Sequence, residues 1–185
     1  MKTYLVTGAA GFIGSNFVKY LLKKYGEDIQ IIIVDALTYA GNLASIKDEI
    51  ELDNVSFVKS DIADYETIKS VFTNNDIDYV VNFAAESHVD RSITNPKLFL
   101  ETNIIGTQNM LQCAREAWYV GKDEKGSPVY KDGVKYLQIS TDEVYGALEL
   151  THTEGIEPPF TTKASSGKHH LLVMRGSLFC FCMFL

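Results

Sequence analysis

Cysteine is scarce in this chain of 185 residues, and the three present are Cys113, Cys180 and Cys182. They are too few for a disulfide framework, and Cys180 and Cys182 lack the spacing of a structural zinc half-site. We therefore expect a reducing compartment and no metal site. Long apolar runs are lacking too, since the longest, residues 178–185, is far below the ~20 residues that a membrane-spanning helix needs.

Positive charge is also in short supply. The chain has 17 lysines and arginines against 24 aspartates and glutamates, so its formal net charge is −7. Proteins that bind nucleic acid usually present a basic face, which argues against such a partner, whereas helix amides can still bind a nucleotide diphosphate. The chain begins Met1-Lys2-Thr3 without the pattern of a signal peptide, and we expect a cytoplasmic protein without membrane contact.

Short apolar strands alternate with helical patterns along most of the chain. The spacing predicts strands at 4–7, 30–34, 55–58, 79–83 and 134–139 and helices at 15–25, 65–72 and 96–118. The continuous apolar run from Ile31 to Val34 is typical of a strand buried on both faces of a parallel sheet. The alternation predicts an α/β protein with a doubly wound parallel sheet, and the polar residues 122–133 are predicted to form a surface excursion.

Three glycines follow the first predicted strand and open the first predicted helix. In a dinucleotide-binding turn, Gly8 would permit the tight bend, Gly11 the approach of a diphosphate, and Gly14 the close packing of the helix. Asp35 stands 21 residues after Gly14, at the end of the second strand. A carboxylate there accepts hydrogen bonds from the adenosine ribose and repels a 2′-phosphate, so the pattern predicts NAD. The alternative for Asp35 is a solvated residue at a strand end.

A pair of carboxylates, Asp142 and Glu143, follows the last predicted strand. Beside a nicotinamide, such a pair could protonate a leaving hydroxyl and remove a neighbouring proton, which is the chemistry of a dehydratase. The acid must still be protonated when the hydroxyl leaves, and burial or the adjacent charge can raise its pKa. Two solvated loop carboxylates are the alternative interpretation of the same pair.

Three longer segments narrow the interpretation: residues 35–42 (DALTYAGN), 84–92 (AAESHVDRS) and 140–146 (STDEVYG). With the G-x-x-G-x-x-G turn, the chain resembles the extended short-chain dehydrogenase/reductase family, and within it the dTDP-glucose 4,6-dehydratases, over residues 2–148. The resemblance implies a Rossmann-type NAD-binding domain over residues 1–166. Other nucleotide-sugar epimerases and dehydratases of the family are the alternative, although the epimerases usually lack the Asp-Glu pair.

The resemblance also implies roles for individual residues. The cofactor-binding residues that it implies are Gly8, Gly11, Phe12, Ile13, Gly14, Asp35, Leu37, Thr38, Asp61, Ile62, Phe83, Ala84, Ala85 and Thr102. Ser87 and Thr141 would touch the hexose hydroxyls. Asp142 would protonate the C6 hydroxyl and Glu143 would remove the C5 proton, while NAD takes a hydride from C4 and returns it to C6. The product from dTDP-glucose would be the 4-keto-6-deoxy sugar, and members of the family are commonly homodimers.

The chain departs from the family pattern after residue 148. Members carry Tyr-x-x-x-Lys, in which the lysine lowers the tyrosine pKa and the tyrosinate accepts the C4 hydroxyl proton. Lys163 resembles the lysine, but Pro159 stands at the tyrosine position and the nearest aromatic, Phe160, has no hydroxyl. We expect the tail, residues 167–185, not to be a domain and the family's C-terminal substrate subdomain to be lacking. A disrupted reading frame around residues 147–160 is our hypothesis, and an inactive NAD-binding fragment is the resulting alternative.

Overall fold

A parallel sheet of five strands forms the centre of the protein, whose structure, a computed structural model, describes residues 1–140. The described residues contain seven strands in all: β1 (Lys2–Thr7), β2 (Ile29–Asp35), β3 (Val55–Lys59), β4 (Tyr79–Asn82), β5 (Tyr119–Lys122), β6 (Pro128–Tyr130) and β7 (Lys135–Gln138). The central sheet has the order β3-β2-β1-β4-β7. The order reverses between β1 and β4, which places a crevice at the carboxyl ends of those strands. The end of the expected domain, residues 141–166, and the tail lie outside the described residues.

Helices cover both faces of this sheet, which confirms the doubly wound α/β architecture. They are α1 (Phe12–Tyr25), α2 (Tyr65–Asn74), α3 (Val89–Thr94), α4 (Pro96–Phe99) and α5 (Thr107–Trp118). Helix α1 packs on one face through Val18 and Leu21, whereas α2 and α5 pack on the other. Asp64 starts α2 by accepting a hydrogen bond from the Thr67 N–H at 3.2 Å, as N-cap residues do.

The apolar runs of the strands divide between two hydrophobic clusters. Ile31 and Ile33 join the α1 side, whereas Ile32 and Val34 join the side of α2 and α5, because successive residues of a strand point to opposite faces. All four are fully or almost fully buried. Burial of such a side chain stabilises the fold by about 2 kcal/mol, so apolar residues are favoured at all four of these positions.

The helical segment predicted from Pro96 to Trp118 is present but not uniform. Its middle, Leu100–Gly106, winds as a π-helix between α4 and α5. Such widened turns are rare and often occur at functional sites. Here the widened turn carries the buried Asn103 and ends at Gly106, where a Cβ would lie 2.5 Å from Cγ1 of Ile62.

The polar excursion at residues 122–133 lies at the surface, as predicted, but it includes the end of one strand and the whole of another. Strands β5 and β6 pair antiparallel as a separate hairpin. Asp123 closes the loop by accepting hydrogen bonds from the N–H groups of Lys125 and Ser127 at 2.9 and 2.8 Å. Aspartate favours such turns because its short side chain can bond the backbone two residues on.

Candidate dinucleotide-binding site

The glycine turn between β1 and α1 leaves no room for side chains at two of its three glycines. Gly8 has a φ of +65°, and a Cβ there would lie 2.7 Å from the Ala84 nitrogen. A Cβ on Gly14 would lie 2.7 Å from Cα of Ala9, because the first turn of α1 packs onto the loop. These contacts explain Gly8 and Gly14, whereas a Cβ at Gly11 would meet one neighbouring atom, the Gly8 oxygen, at 3.2 Å.

Helix α1 starts at this turn without a capping side chain. Gly11 is its N-cap residue, and no side-chain hydrogen bond caps the helix. The first N–H groups of a helix need external partners, and together with the helix dipole they favour an anion. Phe12 and Ile13 occupy this first turn with side chains 84% and 63% exposed, in keeping with their expected place over a diphosphate.

Asp35 ends β2 with a carboxylate that is only 7% exposed. One oxygen accepts from the Ala10 N–H and the other from the Leu37 N–H, each at 2.8 Å. The second bond fixes Leu37 at a φ of +53°, a left-handed conformation that non-glycine residues rarely adopt. Asp35 therefore organises the glycine turn and the loop after β2, and each oxygen keeps a further lone pair for a hydroxyl donor.

A cleft opens at the carboxyl ends of β1, β2, β3 and β4, and it brings together most of the expected cofactor-binding residues. Its lining consists of Gly8, Gly11, Val34, Asp35, Ala36, Thr38, Ala40, Gly41, Ser60, Asp61, Ile62, Phe83, Ala84, Ala85, Glu86 and Thr102. One wall is the loop after β2, the other is the loop after β4, and the turn after β1 lies between them. Such a crevice is where ligands bind in open parallel sheets.

Several predicted site residues are placed elsewhere. The side chain of Leu37 packs against the hydrophobic cluster on the α1 side of the sheet. Ser87 is exposed on the loop after β4, beyond the lining of the cleft. The predicted catalytic residues lie outside the described residues, and they are Thr141, Asp142, Glu143 and Lys163.

The loop after β4 contains a buried acid that our sequence analysis did not assign to the site. Glu86 is 5% exposed, and among the described residues its Oε2 has no hydrogen-bond partner. Burial raises the pKa of Glu86 above its ordinary value; Arg91 opposes the shift and Asp61 adds to it. Asn103 clamps the Glu86 backbone through two hydrogen bonds of 2.8 Å. No motif pointed to Asn103, because its partner is 17 residues away and the contact exists only in three dimensions.

A buried chain of polar side chains joins the carboxyl ends of three neighbouring strands, and sequence reasoning missed it. The Thr7 hydroxyl donates to Asn82, and the Asn82 amide donates to Oε1 of Gln138 at 2.8 Å. The Tyr136 hydroxyl donates to the same Gln138 oxygen at 3.1 Å, and burial raises the pKa of Tyr136. These bonds tie the ends of β1, β4 and β7 together, so the strand that leads to Ser140 is fixed relative to the glycine turn.

The electrostatics of the cleft suit a ligand that is bound through amides and hydroxyls. Three carboxylates, Asp35, Asp61 and Glu86, line it, and no lysine or arginine does so in the part of the chain that the structure describes. Within residues 1–140, no three potential metal-ligating side chains cluster and no helix has the length and apolarity to cross a membrane. A carboxylate for ribose hydroxyls and an uncapped helix for a diphosphate together fit a dinucleotide.

Comparison with known proteins gives consistent similarities. A family model described as GDP-mannose 4,6 dehydratase matches residues 5–163. The dTDP-glucose 4,6-dehydratase of Xanthomonas campestris pv. campestris (strain B100) is 41% identical over 176 residues, which cover 91% of this chain and 48% of that protein. The chain therefore spans about half the length of the curated relatives it matches.

Two solved structures show the same similarity in three dimensions. The crystal structure of dTDP-glucose 4,6-dehydratase from Bacillus anthracis str. Ames, in complex with NAD, matches with a TM-score of 0.64 and 39% identity, over 82% of this chain and 41% of that one. The UDP-Glc/GlcNAc 4-epimerase of Campylobacter jejuni also has a TM-score of 0.64, with 27% identity, over 79% of this chain and 39% of that one.

Proposed function

The chain belongs to the GDP-mannose 4,6-dehydratase family, and we propose that it is the NAD-binding part of a nucleotide-sugar 4,6-dehydratase whose substrate is dTDP-glucose. The family resemblance drawn from residues 35–42, 84–92 and 140–146 is confirmed. The observation that carries the proposal is Asp35, buried at the end of β2 and facing the cleft above the glycine turn.

NAD rather than NADP is the proposed cofactor because of charge. Asp35 is a carboxylate in a cleft that already holds two others, Asp61 and Glu86, and no cation lines the cleft within residues 1–140. A 2′-phosphate on the adenosine ribose would face this negative charge, whereas the 2′-hydroxyl of NAD can donate a hydrogen bond to it. Thr38, Ala84, Ala85 and Thr102 would complete the cofactor's surroundings.

The proposed chemistry is the loss of water across C5 and C6 of the hexose. NAD, when bound, would supply the hydride acceptor for C4 and the hydride donor for C6. Oxidation at C4 acidifies the C5 proton, so the Glu143 carboxylate would remove it while Asp142 donates a proton to the departing C6 hydroxyl. Thr141 and Ser87 would bind hexose hydroxyls, and Lys163 would hold the nicotinamide ribose.

A second function, NAD binding without catalysis, is favoured by one observation on the chain itself. Pro159 occupies the position, four residues before Lys163, at which the family resemblance expects a tyrosine. Proline has no hydroxyl, so the base that accepts the C4 hydroxyl proton is lacking there. We therefore expect the chain to bind NAD and to show little or no dehydratase activity.

A titration of the purified chain with NAD and NADP tests the proposed function. NAD should bind at least tenfold more tightly than NADP, because the 2′-phosphate would meet the carboxylates of the cleft. Incubation with NAD and dTDP-glucose should yield little or no 4-keto-6-deoxy sugar. Absence of NAD binding by a folded chain would overturn the proposal, and full turnover would overturn the inactive alternative.

Pairing of two copies is a further part of the proposal. Three large apolar side chains, Ile93, Leu100 and Ile105, are exposed on α3 and on the π-helical segment. Exposed apolar side chains on neighbouring elements would mark a protein interface if they form one patch in the dimer. Ile105→Glu should shift a dimer toward monomer in light scattering after gel filtration, whereas a wild-type monomer would contradict the pairing.

A further inference from the structure

Arg91 lies close to both Tyr39 and Glu86, although the three residues come from different segments of the chain. The guanidinium carbon of Arg91 lies 3.9 Å from the centroid of the Tyr39 ring, and its NH1 atom lies 3.9 Å from Oε2 of Glu86. Tyr39 belongs to the loop after β2, whereas Glu86 belongs to the loop after β4 and Arg91 to α3. The contact therefore links the loop after β2 to the segment after β4, and these two segments form the walls of the cleft.

The geometry holds the guanidinium in place without using up its donors. A buried carboxylate oxygen without a hydrogen-bond partner, as Oε2 of Glu86 is within residues 1–140, is costly, and the nearby positive charge of Arg91 compensates the charge of Glu86. Their distance of 3.9 Å exceeds that of a hydrogen bond, so Glu86 does not occupy an N–H of Arg91. Arg91 lies over the Tyr39 ring in a cation–π contact, and within residues 1–140 its N–H groups remain available to a ligand.

The lining of the cleft offers a diphosphate backbone amides, and a positive charge beside it would add to that binding. A dinucleotide carries two negative charges on its diphosphate, and in residues 1–140 the lining offers carboxylates and backbone amides but no lysine or arginine. Arg91 stands beside the lining residue Glu86, and its side chain is 41% exposed. Arginine suits this task because its planar fork matches phosphate oxygens.

We propose that Arg91 binds the diphosphate of the dinucleotide, and that Tyr39 and Glu86 position its guanidinium across the mouth of the cleft. The inference rests on the proposed NAD site and adds a residue to it. Arg91 would contact the diphosphate from the side opposite the uncapped start of α1. The two loops would then close over the cofactor through one shared cation.

Competition titrations with NAD, ADP and adenosine test the role of Arg91, because ADP carries the diphosphate and adenosine lacks it. Arg91→Met should lower the affinity for NAD and for ADP by about tenfold, the usual loss for a charge-assisted hydrogen bond. The affinity for adenosine should be unchanged. The salt dependence of ADP binding should become shallower, because one phosphate contact is lost. The ADP affinity of Arg91→Lys should lie between those of wild type and Arg91→Met, since lysine keeps the charge and loses the planar fork.

The controls separate a phosphate contact from general effects. Arg115→Met removes one positive charge from the exposed end of α5 and should leave ADP affinity unchanged. Tyr39→Leu should weaken ADP and not adenosine, whereas Tyr39→Phe, which keeps the ring, should bind ADP like wild type. Equal losses for ADP and adenosine in Arg91→Met would overturn the inference, as would unchanged ADP binding. A wild-type chain that binds no NAD would instead overturn the proposed function, and this inference with it.

Discussion

Asn103 holds the backbone of Glu86 at both its polar groups. Its side-chain oxygen accepts from the Glu86 N–H and its amide donates to the Glu86 C=O, each at 2.8 Å. Both residues are buried, so no water replaces these bonds. The widened turn of the π-helix thus fixes the loop after β4, and with it the wall of the cleft that includes Ala84 and Ala85.

Asn103→Ala should lower the free energy of unfolding by about 3 kcal/mol, because it leaves a buried N–H and a buried C=O without partners. It should also weaken NAD binding, since the loop loses its anchor. Urea denaturation measures the first effect and calorimetric titration the second. Gln108→Ala, an exposed change on α5, is the control and should leave both unchanged. Equal stability of the two variants would contradict the clamp.

Gly8→Ala should be far more damaging than Gly26→Ala. Both glycines have positive φ, +65° and +57°, so an alanine is strained at either position. At Gly8 the new Cβ would also lie 2.7 Å from the Ala84 nitrogen, whereas at Gly26 nothing lies within 4 Å. Thermal unfolding and NAD titration of both variants isolate the cost of that close contact. A Gly8→Ala variant as stable as Gly26→Ala would show that the loops can separate freely.

Asp35→Ala should reduce stability as well as NAD affinity. It removes the acceptors of two backbone N–H groups, Ala10 and Leu37, and we expect a loss of about 3 kcal/mol. Asp61→Ala is the matched control, because Asp61 accepts one such bond, from Ala63, and is less buried. It should cost about half as much in urea denaturation. Stability equal to wild type in Asp35→Ala would leave the carboxylate with a ligand-binding role alone.

The pH dependence of stability should contain an acid-sensitive part from Asp78. Burial opposes its ionisation, but hydrogen bonds from Lys2 and the Thr3 N–H, with the charge of Lys131, hold the pKa of Asp78 below its usual value. A lowered pKa contributes stability above the ordinary pKa of 3.8, and this is lost as pH falls through the folded value. The stability difference between wild type and Asp78→Asn should therefore be largest near neutral pH and shrink below pH 3.8.

Glu86 should have the opposite dependence, because burial raises its pKa. Ionisation then costs stability as pH rises from the ordinary value of 4.5 through the folded pKa. Glu86→Gln should gain stability relative to wild type over that interval, measured by urea denaturation at several pH values. Parallel profiles for wild type and Glu86→Gln would show that folding does not shift the pKa of Glu86.

Cys113 should resist alkylation in the folded protein. Burial, with the charge of Glu116, raises the pKa of its thiol to about 11, and the side chain is almost wholly enclosed. The thiolate that reacts is then about a thousandth of the total at pH 8. Iodoacetamide labelling followed by peptide mass mapping should show Cys113 modified in urea and protected without it. Rapid native labelling would indicate that α5 opens readily.

Features set by neighbouring residues could be predicted from the sequence, whereas features set by distant contacts could not. The run Ile31–Val34 and the glycines before α1 predicted the sheet and the turn, because they report on adjacent residues of one strand or one loop. The helix from Pro96 was predicted as one continuous element, but apolar spacing carries no sign of the π-helical turn at Asn103. The backbone that Asn103 of this turn holds, that of Glu86, lies 17 residues earlier in the chain.

The sequence by itself determined the α/β class, the glycine turn and Asp35 as the acid at the end of β2, because short-range spacing sets strand burial and turn geometry. The tertiary structure decided what Asp35 bonds, which residues line the cleft, and that Arg91 reaches Tyr39 across it. It also joined Thr7, Asn82 and Gln138 into one buried chain of hydrogen bonds. Those relations join residues distant in sequence, and the parallel sheet creates them by bringing the carboxyl ends of its strands to one edge.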